Sequence, residues 1–216
     1  MTRVISGAAL IAIAVAVVWF APPAVFQSFA VLVAALALWE LSALVRAGAL
    51  GTSAPALTTV TVVAFGTIYI ALPIAALVAI RFNPGASAVF LAMLTVMVSD
   101  TAQYYTGRAF GRRPLAPAIS PKKTIEGAIG GFVFGTAAFA IVGAWWAPQL
   151  PLTARIILAP VIVAFGIAGD LFESMLKRRA GVKDSSSIIP GHGGVLDRID
   201  ALLFVAPVYY VVLRYV

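Results

Sequence analysis

The chain has 216 residues, of which 62% are hydrophobic and 11% are charged, and its formal net charge is +7 at pH 7. An ordinary soluble domain has about 25% charged residues, so this composition excludes a water-soluble globular protein. The absence of cysteine excludes disulfides, thiolate catalysis and thiolate metal ligation.

Seven apolar runs follow in chain order, each near the ~20 residues that a membrane-spanning helix requires. They cover residues 4–20, 25–45, about 56–80, about 86–105, roughly 125–146, 156–175 and 199 to the C-terminus. We therefore predict an all-α fold, a polytopic integral membrane protein with about seven transmembrane helices. The first run could be a signal peptide because Arg3 precedes it, but six further spans make its removal unnecessary, and we interpret it as a retained helix.

The fifteen basic residues are divided unevenly between the two sides of such a bundle. With the N-terminus inside, twelve lie in inside segments and only Arg81, Arg155 and Arg214 lie outside. Because short cytoplasmic loops are enriched in Lys and Arg, we expect a cytoplasmic N-terminus, with Val216 outside. The basic residues lie at membrane borders, where they mark topology and attract anionic headgroups, so we predict no nucleic-acid partner.

The acidic residues do not fit a pure topology signal. Seven of the eight carboxylates lie in or beside the two strongly basic inside loops. Acids and bases packed together at a membrane surface are typical of a site for metal ions and phosphates. The seven are Asp100, Glu126, Asp170, Glu173, Asp184, Asp197 and Asp200.

The first inside loop begins at Ser99-Asp-Thr101 and ends at Ile119-Ser-Pro-Lys-Lys-Thr-x-Glu-Gly127. Ser120 followed by Pro121 suits the cap and first turn of the fifth helix, which would put Lys122 and Lys123 beside free backbone amides. That arrangement predicts an anion cradle. The alternative is that the lysines only anchor the helix at the interface.

The sixth apolar run ends in polar residues on one helical face. Asp170, Ser174 and Lys177 follow at i, i+4 and i+7, which directs a carboxylate, a hydroxyl and an ammonium group toward the interface. A charge one turn inside an apolar helix is costly unless it has a partner or a metal, so Asp170 is a functional candidate. The alternative is a structural partner of Lys177 or Arg178.

The loop after this helix contains Pro190-Gly-His-Gly-Gly194, with three glycines in five residues. Glycine allows left-handed backbone conformations and a close approach of amides to a ligand. A plain turn, with His192 as an ordinary polar loop residue, is the alternative.

Asp197 and Asp200 follow at i and i+3, on one face at the start of the seventh helix. Such a pair can chelate one divalent ion or bridge two, and the helix N-terminus stabilises its charge. The alternative is an ordinary helix start with Asp at the cap and in the first turn.

These pieces together resemble a known signature. Ser174-x-Leu-Lys-Arg178, Lys183-Asp-x-Ser186 and Ile189-Pro-x-His-Gly-Gly-Val-x-Asp-Arg-Ile-Asp200 match, at every specified position, the pattern of phosphatidate cytidylyltransferases (CDP-diacylglycerol synthases). The resemblance covers roughly residues 85–216, and residues 2–7 resemble the family's opening. The chain departs from the family at Ala102-Gln103 and Ile125, and between residues 45 and 56 it lacks a pair of helices that longer relatives carry.

The resemblance implies that CTP and phosphatidic acid, a membrane lipid, give CDP-diacylglycerol and pyrophosphate in phospholipid biosynthesis. It implies a multi-pass enzyme of the inner (plasma) membrane whose active site faces the cytoplasm. Residues 1–84 would be N-terminal transmembrane helices, and residues 85–216 the cytidylyltransferase domain. It also implies a homodimer and a two-metal centre, with Mg²⁺ and a second, monovalent ion.

Site roles follow from the resemblance and from the chemistry of the residues. Oxygen ligands without Cys or a His cluster favour Mg²⁺ over zinc. The expected metal ligands are Asp170, Asp197 and Asp200, with Asp184 as a fourth candidate. The expected catalytic residues are Lys183, Asp184, His192 and Arg198. The expected substrate-binding residues are Ser99, Asp100, Lys122, Lys123, Ser174, Lys177, Arg178, Gly193 and Gly194.

Two other classes of function fit parts of the pattern. Related membrane enzymes use CTP on an archaeal ether lipid or as a phosphate donor to polyprenols, but the signature residues are of the bacterial phosphatidate type. Intramembrane carboxylates also mark ion pathways in transporters and channels. The polar residues here lie on one face rather than at mid-membrane, which disfavours transport.

Overall fold

The computed structural model describes residues 2–51 and 55–215, and helices dominate this part of the chain. The short helices of residues 55–66 and 72–82 join through a π-helical segment into one rod, so the described helices form seven rods, as the seven apolar runs predict. The elements are α1 Thr2–Phe20, α2 Pro23–Arg46, α3 Pro55–Gly66, the π-helix Thr67–Ala71, α4 Leu72–Phe82, α5 Ala86–Phe110, β1 Pro114–Ala116, β2 Ser120–Thr124, α6 Ile125–Trp146, α7 Leu152–Arg179 and α8 Leu196–Tyr215.

Five of the rods in the described residues are long and apolar enough to cross a membrane, as expected for an all-α integral membrane protein. These five are α2, the α3–α4 rod, α5, α6 and α7. In α1 the apolar stretch Ser6–Phe20 is shorter, and α8 carries Asp197, Arg198 and Asp200 in its first turns. Within the α3–α4 rod, the π-helical segment lies just before Pro73, which has no backbone N–H to donate.

Consecutive rods run in opposite directions. At one end, the Arg81 guanidinium donates to the carbonyls of Val18 (2.5 Å) and Ala21 (3.3 Å), which ties the end of α4 to the end of α1. At that same end, a cavity of about 510 Å³ is lined by the turns after α4 and α6 and by the end of α8. Its lining includes Asn83, Pro84, Gln149, Tyr210, Leu213 and Arg214. The expected outside position of Val216 lies beyond the described residues.

The bundle is held by close packing, because lipid tails are as apolar as the helix surfaces and burial away from water adds little between helices. α5 and α6 approach closely along a line of α6 glycines, where a Cβ at Gly131 would lie 2.5 Å from Gln103 Cγ. A second contact region joins α2, α7 and α8 through fully or nearly fully buried leucines directly below the polar end. These leucines include Leu41, Leu176, Leu196 and Leu203.

A two-stranded antiparallel hairpin precedes α6 and corrects one prediction. Ser120 and Pro121 do not begin the helix; they begin β2, which pairs with β1. The helix begins at Ile125, because Thr124 acts as its N-cap: the Thr124 Oγ1 accepts from the Gly127 amide at 3.0 Å. Lys122 and Lys123 therefore project from a strand, not from a helix N-terminus.

Candidate active site

The polar end of the bundle gathers the ends of α5 and α7, the start of α8, the hairpin and the 180–195 loop. The site residues predicted from sequence all belong to these segments, but they differ in exposure. Ser99, Gly194 and Asp197 are buried; Lys123, Asp170, Ser174, Lys177, His192, Gly193 and Asp200 are half-buried; Asp100, Lys122, Arg178, Lys183, Asp184 and Arg198 are exposed.

The polar face at the end of α7 divides between two neighbours. Asp170 forms an ion pair with Lys123 of β2, and Ser174 Oγ lies 3.5 Å from Asp170 Oδ1. Lys177 turns the other way, to Glu173 and Asp197. The structural alternative for Asp170, a pairing with Lys177 or Arg178, is therefore wrong. The hairpin is also tied to this helix through Arg178, whose Nε donates to the Ile119 carbonyl at 3.3 Å.

Asp197 is enclosed by hydrogen-bond donors. Its Oδ2 accepts from the Ser185 amide (3.0 Å), the Ser185 hydroxyl (2.9 Å) and the Gly194 amide (2.7 Å). Its Oδ1 accepts from Lys177 Nζ at 2.5 Å. Four donors fill the capacity of one carboxylate. Asp197 thus holds the signature loop and the start of α8. A metal ion could bind its carboxylate only by displacing one of these donors.

Two carboxylates for which the sequence predicted no role, Glu40 and Glu173, lie next to Asp197. Glu40 of α2 is fully buried and accepts from the same loop as Asp197. Glu173 is also fully buried and forms an ion pair with Lys177. The sequence carries a signal for Glu40, since it is the one charged residue before Arg46 in the second apolar run, and such a charge is a functional candidate by default. We call Glu40, Glu173 and Asp197 the clamped carboxylates.

A second group consists of Asp100, Asp170 and Asp200, which we call the open carboxylates. Asp100 accepts from Gln103 at 3.0 Å and Asp200 from the amide of the next residue at 2.8 Å, so each has few donors. The charges of the three act unfavourably on one another, and Lys123 of the hairpin and Arg198 of α8 act on Asp100. Like charges held together in this way favour a cation between them.

The chemistry of the open carboxylates fits a hard divalent cation, since each side chain offers carboxylate oxygens. As the side chains stand, however, no group of three or more His, Asp or Glu residues in the described parts of the chain is arranged to hold a metal ion. A cation at this place would compete with Lys123 for Asp170.

The glycine-rich loop is folded back on itself and rests on α1. Ile189 and Gly193 form an isolated antiparallel bridge, and Gly193 has a φ of +79°, which favours glycine. His192 Nδ1 lies 2.9 Å from the Ser6 hydroxyl, which also lies 3.0 Å from the Pro190 carbonyl. The loop is a built structure with a contact to α1 rather than a plain exposed turn.

Basic side chains lie at the same end of the bundle as the open carboxylates, and Lys123 and Arg198 act on that group directly. Lys122, Lys183 and Arg198 are exposed, and Lys123 reaches Asp170. Cations next to a carboxylate cluster can neutralise the phosphates of a bound polyanion while the carboxylates hold a metal ion. The arrangement therefore suits a reaction between phosphate-bearing molecules at the membrane surface.

The comparisons with known proteins agree with this chemistry. The cytidylyltransferase family model matches residues 46–216. Phosphatidate cytidylyltransferases from Aquifex aeolicus, Haemophilus influenzae and Bacillus subtilis are 42%, 47% and 40% identical to the chain over 120, 120 and 129 residues. These matches cover 55%, 54% and 60% of the chain, but only 44%, 42% and 48% of the relatives' own length. The matched part is thus less than half of each relative.

Proposed function

The chain belongs to the cytidylyltransferase family, and on that premise we propose that it transfers the cytidylyl group of CTP to phosphatidic acid, giving CDP-diacylglycerol and pyrophosphate. One observation carries the proposal: at one end of a membrane-embedded bundle, Arg178 joins the signature segment 174–200 to the hairpin, and Lys123 of the hairpin pairs with Asp170 of the same helix as Arg178. A reaction between a water-soluble nucleotide and a lipid headgroup requires a site at such an end. The names of the similar proteins support the choice of phosphatidic acid.

The reaction makes modest demands on the protein. A phosphate oxygen of the lipid attacks the α-phosphorus of CTP, a new P–O bond forms, and the bond to the β-phosphate breaks, so that pyrophosphate leaves. Because the nucleophile is already ionised, no strong general base is required. The main task is to bring two polyanions together, which requires neutralising charge and fixing orientation.

The basic residues divide this task in our proposal. Lys123 is the best placed of them, since it already lies against the open carboxylates and can turn from Asp170 to a phosphate oxygen. Arg198 acts from α8 on the same group. The remaining cations and polar groups proposed to contact the substrates are Lys122, Lys183, Arg178, His192, Ser99, Ser174, Gly193 and Gly194.

We propose that Mg²⁺ binds among the open carboxylates, where it would polarise the phosphoryl oxygens of CTP and neutralise charge on the leaving group. Asp100, Asp170 and Asp200 supply the ligands, and Lys123 leaves Asp170 in the process. Asp184 stays a predicted additional ligand. Asp197, also expected from the sequence as a ligand, is already surrounded by donors, and we propose that it holds the loop instead. A second, monovalent ion and a homodimer also remain predictions.

We further propose that the polar end faces the cytoplasm from the inner membrane, where CTP is available. The chain has no native cysteine, so single cysteines report sidedness cleanly. A membrane-impermeant maleimide should label Gln149→Cys, at the far end, in intact cells, and Ser187→Cys only after permeabilisation. The reverse pattern would overturn the orientation.

Labelled CTP tests the proposed reaction. Purified protein, supplied with Mg²⁺ and phosphatidic acid, should move label from [α-³²P]CTP into the lipid extract and release label from [γ-³²P]CTP as pyrophosphate. Omitting phosphatidic acid should abolish both. Label from the γ-phosphate in the lipid would instead identify a phosphate donor reaction, and no transfer from either nucleotide would refute a CTP-dependent function.

A further inference from the structure

Together with Glu173, Glu40 is one of two fully buried carboxylates among the described residues of the polar end. Its side chain is fully buried, at 0% exposure, in an α2 helix whose other 23 residues include only one further charge, Arg46. A carboxylate in an apolar span is costly unless specific partners satisfy it. The partners of Glu40 therefore indicate what it is for.

All four hydrogen bonds of Glu40 come from the signature segment. Oε1 accepts from the Ser186 hydroxyl (2.7 Å) and the Val195 amide (2.9 Å). Oε2 accepts from the Ser185 hydroxyl (2.9 Å) and the Leu196 amide (2.7 Å). Both ends of the glycine-rich loop are thus fastened to one side chain of a distant helix.

The Val195 and Leu196 amides lie at the start of α8, where backbone N–H groups have no partner inside the helix. Glu40 satisfies two of them from another helix and places a negative charge at the positive end of the α8 dipole. The position of α8, with Asp200 one turn further on, is therefore set partly by α2.

Glu40 is also coupled to Asp197. The Ser185 hydroxyl lies 2.9 Å from Glu40 Oε2 and 2.9 Å from Asp197 Oδ2, and because it has one proton it donates to only one of them at a time. Gly194 packs between the two carboxylates, and a Cβ there would overlap both the Glu40 carboxylate and the Ser185 hydroxyl. Because Glu40 lies so close, residue 194 has no room for a side chain and glycine fits there.

We propose that Glu40 is a positioning residue for cytidylyl transfer: it fixes the 185–196 loop and the start of α8 so that Asp200 and Arg198 face the substrates. The inference rests on the proposed function. It extends the site into residues that precede the family match, which begins at residue 46. Glu40 touches no substrate in this proposal and acts through the loop.

Two measurements test it on the same purified proteins: turnover, and amide hydrogen exchange of the peptide that contains residues 185–196. Glu40→Gln keeps the shape but turns amide protons toward N–H and O–H donors, so we expect kcat to fall by at least about tenfold and exchange in this peptide to rise. Peptides from α5 and α6 should exchange as in the unmodified protein. Glu40→Asp, which restores the charge, should recover part of kcat.

The matched control is Ser42→Ala, two residues along α2, whose hydroxyl donates to the Trp39 carbonyl of its own helix at 2.7 Å; it should change neither readout. Ser186→Ala keeps Glu40 and removes one of its donors, so it should lower kcat several-fold even if Glu40→Gln fails to fold. Unchanged kcat in Ser186→Ala would overturn the inference in that case.

The remaining outcomes separate this inference from the proposed function. If the unmodified protein transfers label and Glu40→Gln does so equally well, the positioning role is wrong and the function stands. If amide hydrogen exchange rises to the same extent in all peptides of the Glu40→Gln variant, Glu40 only stabilises the fold, and the inference is overturned. If the loop alone loosens while the unmodified protein transfers no label, the function fails, but Glu40 still positions the loop.

Discussion

The clamped and the open carboxylates lie at the same end of the bundle, but their surroundings differ. Glu40 and Asp197 each have four donor groups within hydrogen-bond distance, and they share one of these, the Ser185 hydroxyl. Glu173 is buried against Lys177. The open carboxylates have few donors and repel one another. Identical chemical groups thus serve two purposes. A carboxylate held by surrounding donors or by a buried ion pair builds structure, whereas one at the accessible side with few donors can still bind a cation.

This difference gives a rule for the whole site. Changes to clamped carboxylates, or to their partners, should act mainly on the stability and geometry of the loop. Changes to open carboxylates, or to what binds them, should act mainly on metal dependence and turnover. Each prediction below would sharpen the division or break it.

Removal of divalent metal should have the largest effect. If Mg²⁺ binds the open carboxylates, chelation should lower turnover by at least about a hundredfold, and added Mg²⁺ should restore it. The clamped carboxylates do not need the metal, so the circular dichroism spectrum and the thermal midpoint should change little. Full turnover in the presence of excess chelator would contradict a metal role for the open group.

Lys177→Met tests the clamped group through its shared cation. Lys177 joins Glu173 and Asp197, and its removal leaves two buried carboxylates without a counter-charge. We expect a loss of about 3–5 kcal/mol in the free energy of unfolding, measured by denaturant titration in detergent. The control Arg179→Met changes an exposed cation on the same helix and should stay within about 0.5 kcal/mol. Equal effects of the two variants would refute the clamp.

The two hairpin lysines should differ in their effect on turnover. Lys123 contacts Asp170, whereas Lys122 is exposed. A charged contact to phosphate is worth ~1.5–3 kcal/mol, so Lys123→Ala should lower kcat/KM by more than about tenfold. Lys122→Ala should have the smaller effect. If the double variant kept full activity with both substrates, the lysines would only anchor the hairpin at the membrane.

Glu126→Gln should have the smallest effect, because Glu126 belongs to neither group. Its carboxylate accepts from the amides of Arg112 and Arg113 and pairs with the exposed Arg113 side chain at 3.2 Å. Gln can still accept from the amides, and an exposed ion pair contributes little. The thermal midpoint should move by less than about 2 °C, with unchanged turnover; a large loss of activity would place Glu126 in the site.

Much of the architecture was predictable because membrane spans are set by local composition. The seven helical rods follow from runs of apolar residues that need no knowledge of their neighbours. The start of α6 was not predictable in this way. Ser120–Pro121 and Thr124–Ile125 both suit a helix start, and the choice depends on the pairing of β2 with β1 and on the contact of Glu126 with Arg112, which are tertiary.

The site was predictable as a set of residues but not as a set of pairings. The spacing of Asp170, Ser174 and Lys177 indicates a common helical face, yet Lys177 turns to Asp197 and Asp170 to Lys123. Asp197 and Asp200 are equivalent in the sequence pattern and differ in the structure only because the Ser185 and Gly194 donors surround one of them. The role of Glu40 depends on a contact across 145 residues, which no local pattern encodes.

The Mg²⁺ dependence of Asp200→Asn and Asp197→Asn, measured side by side, tests the division most directly. Asn keeps the shape of the side chain and loses the anionic ligand. We predict that Asp200→Asn lowers kcat by at least about a hundredfold and raises the Mg²⁺ concentration needed for half-maximal turnover. Asp197→Asn should leave that concentration unchanged and lower the thermal midpoint instead. The account would be contradicted if Asp197→Asn shifted the Mg²⁺ requirement while Asp200→Asn retained near-normal turnover at ordinary Mg²⁺.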